Sequence, residues 1–473
     1  MSQSEPSPTK STDLEQAFSC LPLREALLNN LVSLGYEEMT PIQVQSLPIL
    51  LQGSDVIAKA KTGSGKTAAF GLSLLNQLYV ENFAVQALVL CPTRELAEQV
   101  SQALRRLARL IPNVKILNLS GGVPMSPQLN SLRHGAHIIV GTPGRVLKHL
   151  NKTSLSLNQL QTLVLDEADR MLDIGFLEDI KTVVAACPKR RQTLLFSATY
   201  SAEIKNLCKQ FLKNPKEVLL DNMHNEQAIE QRFYETNHRD NKFPLLKVLL
   251  LHYRPSSTLI FCNTKQQTAE LSDQLTDVGF SSLALNGDME QEERDQVLVR
   301  FSNQSCSILV ATDVAARGLD IKELPAVINY ELAFDSDVHI HRIGRTGRAG
   351  QKGLALSLTT PSDAERICAI EKNLSQPLTW GSIDELTDSN TATLRPEVVT
   401  ICLDAGRKDK IRPGDILGAL TKDGGLPGDA IGKINIAALC SYVAIHQTHV
   451  DKAYRYLQNG KLKGRKVNVR KLI

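Results

Sequence analysis

The chain has 473 residues, 42% of them apolar and 22% charged, with a net charge of +4. That length exceeds one ordinary hydrophobic core, so two or three globular domains are expected, and no run approaches the roughly eighteen apolar residues needed to cross a bilayer. Nine scattered cysteines with no Cys-x-x-Cys pair argue against zinc and against a disulfide framework, and point to a reduced, cytoplasmic setting.

Residues 1–12, rich in Ser, Pro and Thr, read as a disordered leader. The apolar strand Val56 to Ala58 then runs into Ala60-Lys61-Thr62-Gly63-Ser64-Gly65-Lys66-Thr67, which opens a helix. Glycines let the N–H groups of Thr62, Gly63, Ser64 and Gly65 turn toward one point, where the helix N-terminus adds partial positive charge. Lys66 can reach β- and γ-phosphates, and the Thr67 hydroxyl can ligate Mg²⁺. Ala60 stands where the generic pattern has its first glycine.

Short buried runs follow at Ala87 to Cys91, His137 to Gly141, Thr162 to Asp166 and Thr193 to Phe196, alternating with helical patterns such as Glu95 to Leu110. This alternation predicts a parallel sheet covered by helices on both faces. Asp166-Glu167-Ala168-Asp169 closes one run, so its acids share the carboxyl-end crevice with the phosphate loop. Asp166 is placed to hold Mg²⁺ through water, and Glu167 to act as the base that orients an attacking water.

The pattern then repeats. Leu88-Val89-Leu90-Cys91-Pro92-Thr93-Arg94 is echoed by Leu259-Ile260-Phe261-Cys262-Asn263-Thr264-Lys265, and Ile138-Ile139-Val140-Gly141-Thr142 by Ile308-Leu309-Val310-Ala311-Thr312, at offsets of 171 and 170. Two echoes at one spacing predict two α/β domains of related plan. Boundaries are expected at 13–218 and 219–380, with a polar linker over 381–396. Over 397–473, apolar runs at Val398 to Leu403, Ile431 to Ile436, Tyr442 to Ile445 and Val467 to Val469, with helical patterns at Pro413 to Leu420 and Val450 to Leu457, give the order βαββαβ. From Pro396 onward fourteen Lys and Arg face seven Asp and Glu, leaving the rest of the chain near −3, so a polyanion is the expected partner of that end.

From Phe18 to Arg348 the motifs stand in the order of the DEAD-box ATP-dependent RNA helicases, which the chain resembles. The resemblance implies two tandem RecA-like P-loop domains followed by a small α+β RRM-like domain. It makes Phe18, Tyr36 and Gln43 the adenine-reading segment, and Gln43 has the donor and acceptor that suit an adenine edge. Pro92-Thr93-Arg94, Gly121-Gly122 and Thr142-Pro143-Gly144-Arg145 match RNA contacts of the first domain, suited to gripping phosphates rather than reading bases. Gln291, Arg294 and Thr312 match those of the second. Asp169, Ser197, Thr199 and His341 match positions that link hydrolysis to RNA, and Asp320 matches a ribose contact. His341-Arg342-Ile343-Gly344-Arg345-Thr346-Gly347-Arg348 resembles the arginine-finger motif, with Arg345 and Arg348 as fingers. Three arginines spaced by glycines are expected to be poor core material.

The C-terminal stretch resembles the tail of the DbpA subfamily, which Lys61, where many relatives carry Gln, also fits. That implies binding of a large-subunit ribosomal RNA hairpin within a pre-ribosomal particle, by a monomer. An RRM stacks bases on aromatics of its first and third strands. Here the first strand offers Thr400 and Cys402 and the third only Tyr442, with Cys440 at the other aromatic position, so the expected readers are Tyr442 with Arg407, Lys408, Lys410, Arg412, Lys461, Lys463 and Arg465. Three further readings share many of these features: an ATP-gated RNA clamp, an assembly protein with a dead nucleotide site, and a DNA helicase. Intact Lys66, Thr67, Asp166, Glu167, Arg345 and Arg348 speak against the second. The adenine-reading segment and the missing zinc cluster speak against the third.

Overall fold

The computed structural model describes residues 16–60, 63–200, 202–220, 229–316, 324–347, 352–374, 377–386 and 392–472. The leader, Thr62, Asp320 and Arg348 lie outside these. Among the described residues no helix is long and apolar enough to cross a membrane.

The first sheet contains β1 (Val56–Lys59), β2 (Ala87–Leu90), β3 (Ile116–Leu119), β4 (Ile138–Gly141), β5 (Thr162–Asp166), β6 (Gln192–Ser197) and β7 (Lys216–Leu219). Its order is β3-β4-β2-β5-β6-β1-β7, with every pairing parallel. Runs such as Ala87–Leu90 are buried on both faces because alternate residues feed opposite cores. Val89, Val140, Val164 and Phe196 enter one cluster, while Leu88, Ile139, Leu163 and Leu195 enter the other.

The second sheet contains β8 (Ile229–Glu235), β9 (Thr258–Cys262), β10 (Ser282–Leu285), β11 (Ile308–Thr312), β12 (Ala326–Asn329) and β13 (Gly353–Thr359), in the parallel order β10-β11-β9-β12-β13-β8. Laid over the first sheet, β9 takes the place of β2 and β11 that of β4. The two sequence echoes therefore fall on equivalent strands.

The stretch expected as a linker is tied down where it is described. Phe233 N–H donates to the Thr379 carbonyl and Gly381 N–H to the Phe233 carbonyl, both at 2.9 Å, which extends the edge of β8. A Cβ at Gly381 would come within 2.4 Å of the Tyr234 ring, so only glycine lets the chain pass this close. Arg254 holds the Ala392 carbonyl at 3.0 Å.

The third sheet is antiparallel, with β14 (Val398–Leu403), β15 (Ile431–Ile436), β16 (Ser441–His446) and β17 (Val469–Leu472) in the order β15-β16-β14-β17. Helices Pro413–Gly418 and Val450–Asn459 cover one face, and Ile401, Leu403, Val443 and Ile445 pack beneath them. On the opposite face Thr400, Cys402, Tyr442 and Ala444 are also buried. Thr400 Oγ1 meets Ser305 Oγ at 2.7 Å and Asn303 Nδ2 at 3.3 Å, at the end of helix Gln291–Ser302 of the second sheet's lobe. The charges of Asp295 and Glu292 on that helix act on Tyr442 and Arg470. The face that an RRM would offer to bases is closed by protein. The expectation that Tyr442 stacks RNA is thereby corrected, because its ring is 3% exposed and its hydroxyl is bonded by Cys440 Sγ.

Within the second lobe, His339 of helix Ser336–Ile343 is fully buried and stacks on Phe233 with ring centroids 5.9 Å apart. Neither ring nitrogen has a hydrogen-bond partner. Burial, reinforced by the Arg342 charge, lowers its pKa from 6.5 to about 4. The unfolded chain therefore takes up this proton first as pH falls. Stability present above pH 6.5 is lost on the way to pH 4, by on the order of 3 kcal/mol at the acid end. Urea unfolding of wild type and His339→Phe across that window should diverge as pH falls, with the variant retaining more stability; parallel curves would clear His339 of the effect.

Candidate functional site

The phosphate loop lies between β1 and helix Lys66–Gln77. Gly63 and Gly65 hold φ of 86° and 96°, which side-chain-bearing residues rarely adopt. A Cβ at Gly65 would also stand 2.6 Å from Gln43 Nε2 and 2.8 Å from Thr40 Oγ1. Gln43 explains that crowding. Its Oε1 accepts from Thr40 N–H at 2.9 Å at the start of helix Pro41–Leu51, and its Nε2 donates to the Gly65 carbonyl at 3.1 Å. The expected adenine reader thus also braces the phosphate loop. Phe18, buried, meets the half-exposed Tyr36 edge-on at 6.1 Å.

Lys66 is buried and donates to the Ala60 carbonyl at 2.9 Å. Asp166 ends β5 with Oδ1 buried and without a hydrogen-bond partner, and Thr40 Oγ1 and Ser197 Oγ are orphaned in the same way. Burial raises the Asp166 pKa to about 7, opposed by Lys66 and reinforced by Glu167. Such unpaired groups suit a hydrated cation and a polyphosphate that would complete their bonding. Glu167 adopts a left-handed φ of 51°, a strained conformation for a glutamate that turns the chain sharply from β5 into helix Ala168–Asp173. Asp169 Oδ2 accepts from Ala198 N–H, Thr199 N–H and Thr199 Oγ1 at 3.1, 3.0 and 3.2 Å. The acids after β5 are therefore bonded directly to the Ser197-Ala198-Thr199 turn after β6.

The other half of the same carboxyl edge carries the remaining first-lobe candidates. Thr93 caps helix Arg94–Leu107 through the Leu96 N–H. Gly121 and Gly122 follow β3, with Gly122 at φ 76°, and a Cβ at Gly121 would lie 3.2 Å from the Arg94 guanidinium. Thr142 ends the run after β4, with Pro143 opening helix Pro143–Asn151 and Arg145 on its first turn. The strand order separates two zones along one edge: phosphate loop and acids after β1, β5 and β6, and Arg94, Gly121 and Arg145 after β2, β3 and β4.

In the second lobe, Gln291 and Arg294 open the helix after β10, where Arg294 bonds the Asn286 carbonyl at 2.9 Å. Thr312 caps the turn after β11. His341 and Arg345 are partly exposed at the end of helix Ser336–Ile343. Arg342 corrects the expectation that this motif's arginines avoid the core. It is 1% exposed, forms a two-pronged pair with Asp313 at 2.7 and 2.7 Å, and also bonds Asn329, the Glu331 carbonyl and Asn263. A buried guanidinium is tolerable only with this degree of satisfaction.

Residues 40–207 match the DEAD/DEAH box helicase family, 241–350 the helicase conserved C-terminal domain, and 400–471 the DbpA RNA binding domain. The chain is 53% identical over 457 residues to the ATP-dependent RNA helicase DbpA of Escherichia coli K12, covering 96% of this chain and 99% of that one. It is 41% identical over 361 residues to the DEAD-box ATP-dependent RNA helicase CshA of Bacillus cereus, covering 76% and 69%. The structure of Saccharomyces cerevisiae Dbp5 bound to RNA and ADP BeF3 superposes with a TM-score of 0.72 at 32% identity, covering 77% of this chain and 95% of that one. The chain belongs to the DEAD-box family of ATP-dependent RNA helicases.

Why a DEAD-box chain built on a repeated plan has one phosphate loop is visible in β8. Lys242 opens the helix after β8 as Lys66 opens the helix after β1. The β8 loop lacks glycines, and Lys242 is buried against the Leu358 and Tyr330 carbonyls at 2.9 and 3.2 Å, with Asp363 at 3.6 Å. The lysine of the second lobe is thus already paired with a carboxylate of its own lobe. Sequence reading missed this counterpart, as it missed Arg342–Asp313, because neither spacing nor residue type shows which cation is buried.

Gly65→Ala combines a forbidden φ with a clash at Gln43 and Thr40. ATP affinity in a fluorescent-nucleotide titration should fall at least about tenfold, and unchanged affinity would show that the loop yields.

Proposed function

We propose that the chain is an RNA-stimulated ATPase that locally separates short RNA duplexes, and that its C-terminal module directs it to a hairpin of large-subunit ribosomal RNA during assembly of that subunit in the cytoplasm. The observation that carries this reading is the division of chemistry between lobes. Lys66, Asp166 and Glu167 converge on one sheet edge, while Arg345 ends a helix of the other lobe.

In this reading Gly63, Ser64, Gly65 and Lys66 grip the phosphates, and Phe18, Tyr36 and Gln43 face the adenine. Mg²⁺ would be held by the Thr67 hydroxyl and, through water, by Asp166, and it would neutralise charge on the transferring phosphate. Glu167 orients and deprotonates the attacking water. Arg345 and Arg348 supply charge to the transition state, with Asp320 at the ribose. Arginine fingers are worth about 10³ to 10⁵ in rate, so hydrolysis waits on the second lobe. RNA gripped by Arg94, Arg145, Gln291, Arg294 and Thr312 favours the competent arrangement, and the bond from Asp169 to Thr199 carries the coupling toward the acids.

Targeting falls to the basic end of the third sheet. Arg407, Lys408, Lys410, Arg412, Lys461, Lys463 and Arg465 are all exposed on the segment after β14 and the turn before β17. Lys463 bonds the Lys410 carbonyl at 2.6 Å and pairs with Asp415 at 2.8 Å, which joins the two segments around a cleft of about 290 Å³. With the sheet face closed, these loops are the surface left to read a structured RNA.

Glu167→Gln should retain ATP binding and lose turnover by about 10²-fold or more; wild-type turnover would remove Glu167 from its role. Strand displacement of a short RNA duplex separates the helicase from an ATP-gated clamp, which would hydrolyse ATP with no displacement. Lys410→Glu with Arg465→Glu should abolish preferential ATPase stimulation by large-subunit ribosomal RNA fragments over unrelated RNA at fixed salt, with stimulation by unrelated RNA persisting; a retained preference would place selectivity elsewhere.

A further inference from the structure

Gln128 lies outside every motif discussed so far, yet it occupies the centre of the first lobe's RNA-side zone. It is 8% exposed, on helix Met125–Arg133, just beyond the Gly121–Gly122 turn. Its Nε2 donates to the Ser120 carbonyl at 3.0 Å and leans toward the Asn118 carbonyl at 3.5 Å. Those two carbonyls can only accept, which fixes the amide so that Oε1 faces the other way. Oε1 accepts from Arg145 Nη1 at 2.8 Å and from His149 Nε2 at 3.0 Å. Arg145 Nη2 donates to the Val123 carbonyl at 3.0 Å. One side chain therefore ties the glycine turn after β3 to the arginine of the helix after β4, and the same turn closes against Arg94 at Gly121.

The chemistry of the brace is as informative as its position. Arg145 is held by an amide and a carbonyl, and no carboxylate among the described residues pairs with it. Its pKa is lowered by burial and by the nearby charge of Arg94. Two guanidinium groups are thus kept close to one another while Arg145 is aimed by neutral acceptors that leave its charge intact. A glutamate at 128 would still accept from Arg145 and His149, but it would lose the donor to the Ser120 and Asn118 carbonyls and cancel that charge. His149, buried and bonded to Ser154 Oγ at 2.9 Å, has its pKa lowered by burial and by Arg145, so it buttresses the amide without adding a cation.

We propose that Gln128 is a positioning residue that cross-braces the Gly121–Gly122 turn and Arg145 into one anion-binding surface for consecutive phosphates of single-stranded RNA. This rests on the reading of Arg145 as a phosphate contact. Gln128 touches no RNA itself. Its role is to hold Arg145 in the orientation that a flexible guanidinium would otherwise occupy only part of the time.

The test uses the full chain, a fluorophore-labelled oligouridylate as the RNA, and a non-hydrolysable ATP analogue. Gln128→Ala should weaken RNA binding by about tenfold, the loss expected when a hydrogen bond to a charged group goes. The ATPase should show this as a raised KM for RNA with kcat retained. Gln128→Glu, which preserves shape and the acceptor for Arg145 but loses the donor to Ser120, should bind RNA more weakly than Gln128→Ala and with a shallower salt dependence, because the new carboxylate replaces the phosphate at Arg145. In an Arg145→Ala background neither change at 128 should matter further. If Arg145→Ala weakens RNA binding and Gln128→Ala does not, or if Gln128→Ala costs as much with Arg145 absent, the brace is refuted while the phosphate reading survives. If Arg145→Ala itself leaves RNA affinity unchanged, both fall. A Gln128→Glu variant that binds RNA as wild type does would also refute the brace, since it loses the bond to the glycine turn and sets a carboxylate against Arg145.

Discussion

Within each of the two large sheets every strand runs the same way, so all strand carboxyl ends meet on one edge. A parallel sheet covered on both faces leaves that edge as the place where the backbone turns outward and polar side chains can gather. In the first lobe the strand order then divides the edge. Strands β1 and β5, with β6 between them, carry a lysine and acids, and strands β2, β4 and β3 carry arginines and glycines. The proposed nucleotide and RNA zones are therefore consequences of connectivity, and Asp169, bonded across to Thr199, is a short covalent and hydrogen-bonded path between the acids and the turn after β6.

Charge is buried in both lobes, under different terms. Asp166 is left with a buried, unpartnered Oδ1 in the first lobe and is shifted toward its neutral form by burial. In the second lobe Arg342 is satisfied by Asp313, Asn263, Asn329 and a carbonyl, and Lys242 by two carbonyls and Asp363. Unsatisfied buried charge marks a place that a ligand completes. Satisfied buried charge locks a lobe whose task is to present residues at its surface. The duplicated plan has thus diverged at its paired lysines: Lys66 is proposed to grip phosphates, while Lys242 is held by two carbonyls and Asp363.

The third sheet shows the same logic applied to a recognition module. Its outer face carries Thr400, Cys402, Tyr442 and Ala444, small or singly aromatic, and that face is closed by Asn303, Ser305 and helix Gln291–Ser302. Because that helix also begins with Gln291 and Arg294, the module is seated on an element that the proposed RNA path uses.

Much of this was legible in the chain itself. The phosphate loop, the acids after β5, the two-fold repeat and the βαββαβ order each rest on local chemistry: glycines that adopt left-handed φ without steric cost, and apolar runs that suit a doubly covered strand. The poverty of aromatics on β14 and β16 was equally visible and agrees with a face that stacks on protein. What only tertiary structure decided were pairings between distant residues: Gln43 with Gly65, Lys242 with Asp363, Arg342 with Asp313, Thr400 with Ser305, and Gln128 with Arg145. An arginine or glutamine has the same letter whether solvated or buried, and its role follows from which acceptors the fold brings within reach.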